Sequence, residues 1–318
     1  MTSAPLAARL RIPSGPLFFP VTAYGPDGSV DLDVFRTHVR AGIEAGAAAV
    51  FACCGTGEFH ALTPEEYEAC VAAAVEESAG RVPVVAGAGY GTALAVRYAK
   101  LADGAGADGL LAMPPYLVVA GQEGLLRHYA ELAAATSLDV IVYQRDNAVF
   151  TPETVVGLAR TEGIIGFKDG LGDMDLMQRI VSAVRSEVPE DFLYFNGLPT
   201  AELTGLAYRG IGVTLYSSAV FCFAPDIALA FHKAFNAGDA EGDATVNRLV
   251  DGFYRPFVEL RGEGRGYAVS LVKAGVRLAG LDVGGVRTPL HDPTDDHVKR
   301  LAELTERGRA LLRTGADA

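Results

Sequence analysis

Apolar residues fall in short runs along this chain, separated by longer stretches in which they recur every three or four positions. The short runs cover 17–21, 48–52, 82–86, 109–112, 139–143, 164–168, 193–196 and 211–216. They lack the polar alternation of a sheet with one wet face, which suits parallel strands buried on both sides. Their starts recur on the order of every 30 residues, the length of one βα unit. The stretches between them carry helix start signals. Asp31 precedes LDVFRTHVRAGIEAG, Thr63-Pro64-Glu65-Glu66 precedes YEACVAAAVEESAG, and Thr151-Pro152 precedes ETVVGLAR. A polar cap, a first-turn proline and early acids are what a helix N-terminus uses. Gly46, Gly106, Gly163 and Gly210 stand just before strand runs, where glycine ends a helix in the left-handed conformation.

Strand runs alternating with helices predict a (β/α)8 TIM barrel over residues 10–235. Residues 236–318 carry no strand pattern and predict a C-terminal helical extension, clearest at 239–260 and 297–312. An open doubly wound sheet is the alternative. It is disfavoured because no G-x-G-x-x-G follows the first strand, and the glycine-rich stretch 86–92 follows the third.

Composition narrows the function. The formal charge is −12, which argues against a nucleic-acid surface. No apolar run reaches the roughly 18 residues of a membrane span, and the N-terminus has no signal-peptide pattern. A cytoplasmic location is expected, with Cys53, Cys54, Cys70 and Cys222 as reduced thiols. No His or Cys pair stands at ligand spacing, so no metal site is expected. The histidines form no triad and are given no chemistry.

In such a barrel the chemistry stands at the C-terminal ends of the strands. Lys168 is the outlier there. Four other lysines, Lys100, Lys233, Lys273 and Lys299, lie in helical stretches expected to be exposed, whereas Lys168 ends the apolar run IIGFK. Desolvation favours a neutral amine, which attacks carbonyl carbon. The alternative is a structural ion pair with Asp169 or Glu58. Tyr143 ends the preceding strand, so phenol and amine can face one cavity, and a phenol relays protons. The turn Gly55-Thr56-Gly57 exposes backbone N–H groups suited to a carboxylate. Tyr116 ends strand 4, Asn196 ends strand 7, and Ser217 and Ser218 follow strand 8 as candidate substrate contacts.

FFPVTAYGPDGSVD, CGTGEFHALTPEE, VVAGAGYGT, MPPYL, VIVYQRDN, IIGFKDG and FNGLPTAE occur in this order. Over about residues 10–310 the series resembles the dihydrodipicolinate synthase / N-acetylneuraminate lyase family of Schiff-base lyases, and within it the decarboxylating dehydratase branch. The resemblance implies Lys168 as Schiff-base lysine, Tyr143 as proton relay, and the loop Gly55–Glu58 as holder of the keto-acid carboxylate. It implies that Tyr116 matches a tyrosine reaching a neighbouring subunit, in a homotetramer. It also implies a small keto-deoxy sugar diacid as substrate, and no cofactor. Two departures matter. Gly55 stands where synthases carry a second hydroxyl residue, and Gln144-Arg145-Asp146-Asn147 replaces the synthase pattern after the tyrosine. The distal carboxylate must leave as CO2, so Ser217 and Ser218 are expected to hold it rather than a bidentate arginine. Two rivals stay open: a pyruvate-dependent aldolase using the same lysine, and a non-catalytic barrel that binds sugar acids.

Overall fold

Local signals place the helices. The Asp31 carboxylate accepts from the Val34 N–H at 3.0 Å ahead of helix Leu32–Glu44. Thr63 accepts from the Glu66 N–H at 3.2 Å while Glu66 accepts from the Thr63 N–H at 3.0 Å. That reciprocal box opens helix Pro64–Ser78 and satisfies two otherwise orphaned donors. Asp173 caps Met174–Glu187 in the same manner as Asp31.

The computed structural model describes residues 5–11, 13–188 and 191–314. The strands are β1 Leu17–Phe18, β2 Ala49–Ala52, β3 Val84–Ala88, β4 Gly109–Ala112, β5 Asp139–Gln144, β6 Ile164–Asp169, β7 Leu193–Asn196 and β8 Leu215–Ser218. They pair in parallel, in chain order, and β8 returns to β1 to close the (β/α)8 barrel. The period of two along each strand sorts the side chains. Leu17, Phe51, Val85, Leu111, Ile141, Leu193, Phe195 and Leu215 pack inside the barrel, joined by Tyr143. Leu6 and Leu10 of the short helix Leu6–Arg11 belong to the same cluster. Leu6 lies against Gly109, at the start of β4, so this helix plugs the N-terminal end of the barrel. Phe18, Val50, Val84, Val140, Val142 and Phe167 face outward into the larger core beneath the helices.

Two predicted strands sit elsewhere. The run 211–216 begins too early: helix Gly205–Gly210 ends at Ile211, Gly212 takes φ 82°, and β8 starts only at Leu215. The run 82–86 gives way to Val84–Ala88, whose small residues at positions 86–88 pair with β4. β5 and β6 each run one residue past the prediction, to Gln144 and Asp169. After the barrel helix Pro225–Ala237, the chain continues through Ala240–Leu249, a π turn at Val250–Tyr254, Arg255–Gly262, Tyr267–Leu278 and Asp295–Thr314. The C-terminal region is thus helical as expected, with Tyr267–Leu278 a further helix outside the clearest predicted segments. Among the described residues no helix is long and apolar enough to cross a membrane, and no group of three potential metal ligands occurs.

Candidate active site

Tyr143 and Lys168 are register partners across β5 and β6. Partners in a parallel pair share a face, and here that face is the barrel interior. The Lys168 ammonium lies 4.4 Å from the Tyr143 ring centroid and 4.8 Å from that of Phe19. Neither carboxylate considered from the sequence reaches it. Asp169 faces outward, where it accepts from Gln144 Nε2 at 2.9 Å, from the Leu171 N–H at 3.0 Å and from the Tyr208 hydroxyl. Glu58 is paired with Lys273. Burial without a carboxylate disfavours the charged amine, and the nearby Arg145 adds to the effect. The Lys168 pKa falls from 10.5 to about 7. A large share of neutral amine at neutral pH makes it a nucleophile toward carbonyl carbon.

The Tyr143 hydroxyl donates to the Gly197 carbonyl at 2.8 Å and accepts from Arg145 Nη1 at 3.4 Å. Burial raises its pKa, so the phenol holds its proton at rest. Only glycine fits at position 197. A Cβ there would lie 2.7 Å from Lys168 Cγ and 2.8 Å from Tyr143 Cε2. The Asn-Gly sequence after β7 therefore lets lysine, tyrosine and the loop backbone meet.

These groups line a cavity of about 290 Å³ at the C-terminal end of the barrel, together with Gly55, Thr56, Arg145 and Ser217. Ala268 and Val269 of helix Tyr267–Leu278 form another part of its wall. Tyr116 stands outside it at 65% exposure, beside an adjoining hollow that also touches Gly55 and Tyr143. A larger cavity of about 450 Å³ lies by the starts of β7 and β8, lined by Arg11, Arg185 and Tyr194. Size does not choose the site, because among the described residues that hollow holds no lysine.

Several expectations need correction. Asn196 and Ser218 do not line the cavity, since alternation turns them outward. Asn196 pairs in register with outward Asp169, and its amide donates to the Ala201 carbonyl at 3.0 Å and to Thr204 Oγ1 at 2.9 Å. Ser218 pairs with outward Phe18 and donates to Glu202 Oε1 at 2.6 Å. Gly57 is buried behind the turn, its carbonyl accepting from Thr22 Oγ1 at 2.7 Å. The expectation that every lysine but Lys168 is exposed fails at Lys273, which is fully buried. The apolar stretch SLVKAGV around it was the available signal. Arg145, set aside as a carboxylate holder, lines the cavity and already engages Asp146 at 3.3 Å. Ala268 and Val269 carried no signal at all, because nothing local marks an alanine or valine as cavity wall.

The model of the Dihydrodipicolinate synthetase family matches residues 13–307. The chain belongs to that family. A probable 5-dehydro-4-deoxyglucarate dehydratase 1 of Streptomyces avermitilis is 84% identical over 315 residues, covering 99% of this chain and 100% of that one. A probable 5-dehydro-4-deoxyglucarate dehydratase of Rhizobium rhizogenes is 44% identical over 307 residues, covering 96% and 99%. Among solved structures, dihydrodipicolinate synthase from Bacillus clausii superposes with a TM-score of 0.86 over 96% of this chain and 100% of that one, at 24% identity. The family is enzymatic, and the barrel with its C-terminal helices is its fold.

Proposed function

We propose that this protein is a decarboxylating lyase converting 5-dehydro-4-deoxy-D-glucarate to 2,5-dioxopentanoate, CO2 and water. The observation that carries the reading is Lys168, a buried amine with no carboxylate partner among the described residues, in register with Tyr143 at the C-terminal end of a barrel strand. The full-length relatives bearing the dehydratase name support the substrate.

Lys168 Nζ attacks the C5 ketone, and loss of water from the carbinolamine gives a protonated imine. Thr56 and the backbone at Gly55 hold the adjacent carboxylate. The imine acidifies C4–H, and Tyr143 or a water takes that proton. The enamine expels the C3 hydroxyl as water, which leaves a conjugated iminium. That iminium accepts the electron pair of the C1–C2 bond as C1 departs as CO2. Protonation at C4, tautomerisation of the C2 enol to the aldehyde and hydrolysis release product and free Lys168. Ser217 contacts the distal end of the substrate. Arg145 acts through its position beside the Tyr143 hydroxyl, its guanidinium already shared with Asp146.

The reading keeps residues 10–235 as the catalytic barrel and 236–318 as a helical region that completes one wall. It takes the enzyme as a cytoplasmic homotetramer. Tyr116, Leu117, Val118 and Val119 form an exposed apolar loop beside the site, 55–85% accessible, where a second copy would bury them. The test is incubation with 5-dehydro-4-deoxyglucarate while CO2 and pyruvate are measured. CO2 in equal amount to substrate consumed is expected. Pyruvate without CO2 would replace this reading by an aldolase, and neither product would leave a binding barrel.

A further inference from the structure

Far from the Schiff-base pair in sequence, Glu58 and Lys273 meet in a site closed to solvent, both side chains 0% exposed. Lys273 Nζ donates to Glu58 Oε1 at 3.1 Å, and the backbone N–H of Arg287 donates to Oε2 at 3.0 Å. The ammonium also lies 4.1 Å from the Tyr24 ring centroid. Glu58 adopts a left-handed conformation, φ 54°, which a non-glycine residue takes only when its surroundings hold it there.

A buried ion pair is a weak way to gain stability, because desolvation offsets most of the attraction. Its placement gives it another use. Glu58 closes the turn that carries Gly55 and Thr56, its N–H donating to the Gly55 carbonyl at 3.2 Å. Lys273 lies four residues after Val269, hence on the same face of helix Tyr267–Leu278, and Val269 is cavity wall. The pair thus ties the wall that receives the keto-acid carboxylate to the wall supplied by the C-terminal region. Arg287 adds a second tie, its side chain donating to the Ala61 carbonyl at 2.8 Å and to Glu66 Oε2 at 2.7 Å.

We propose that Glu58 and Lys273 are positioning residues, a buried strut that sets the distance between the Gly55–Thr56 turn and helix Tyr267–Leu278 and so the affinity for the keto-acid end of the substrate. The proposal rests on the Schiff-base reading of Lys168. Neither residue touches the reacting atoms. Without the strut the lysine and tyrosine keep their register on β5 and β6, while the carboxylate cradle loosens. The loss therefore falls on binding before it falls on chemistry.

The experiment titrates pyruvate against the protein, reduces the imine with borohydride and locates the adduct by mass. The double variant Glu58→Gln/Lys273→Met removes both charges at similar volume, so folding is expected to survive. Its half-saturating pyruvate should rise about tenfold with the adduct yield at saturation retained, the scale of a site loosened by a fraction of an ångström. With the diacid substrate, KM should rise by the same factor and kcat should fall by much less. Should the double variant fail to fold, Glu58→Asp keeps the charge but shortens the reach by one methylene, and the same rise is expected. A folded variant with the wild-type titration curve, or one losing kcat at unchanged KM, overturns the strut. No adduct at Lys168 in the wild type would instead sink the Schiff-base reading, and the strut with it.

Discussion

Replacing Lys168 by Met should abolish turnover and at the same time make the protein more stable. The methionine keeps the length and apolar body of the lysine and removes only the amine. Burial in the barrel mouth holds the Lys168 pKa near 7, against 10.5 for a free lysine. Each unit corresponds to about 1.4 kcal/mol, so the drop sets a ceiling of about 5 kcal/mol on what the charged amine costs the fold. Part of that is offset by the aromatic rings of Tyr143 and Phe19 near the ammonium, worth about 0.5–2 kcal/mol together. A net gain of about 1–3 kcal/mol is expected at pH 6. The pH dependence has a definite sign. Between about 7 and 10.5 the unfolded chain binds the proton and the folded one does not, so wild-type stability rises with pH there. The advantage of the methionine variant should be full at pH 6 and shrink toward pH 10. Urea unfolding of both proteins at pH 6, 8 and 9.5 measures it. A variant less stable than wild type at pH 6, or an advantage that grows with pH, would refute the desolvated-amine argument.

Three further outcomes follow from the same geometry. Tyr143→Phe should lower kcat by about 10²–10⁴-fold, the usual span for loss of a proton-transfer group, while borohydride still traps pyruvate on Lys168; loss of trapping would make the phenol a structural support. Gly197→Ala forces a Cβ to within 2.7 Å of Lys168 Cγ and should cost about 1–3 kcal/mol of stability and most of the activity, read by thermal unfolding and steady-state rates. Ser217→Ala should weaken transition-state binding by about 1–3 kcal/mol, whereas Ser218→Ala should act on stability alone because its hydroxyl is committed to buried Glu202; equal kinetic effects of the two would contradict the strand alternation.

The sequence by itself determined the barrel and the place of its candidate nucleophile. Helix caps such as Thr63 and Asp31 act on residues three positions away, so they are written locally and read locally. Lys168 was legible for a similar reason, since a lysine closing IIGF has few fates but a dry strand end. What only the tertiary structure decided is which way each residue faces. Successive side chains along a strand face opposite sides, so at a strand end the parity of a position decides between cavity and core, which is why Asn196 and Ser218 read as substrate contacts and prove to be loop and core anchors. The same limit applies to the Glu58–Lys273 pair, whose partners are 215 residues apart. No local pattern encodes such a pairing. Closure of the barrel and the return of the C-terminal helix bring the two charges together, and with them one wall of the site.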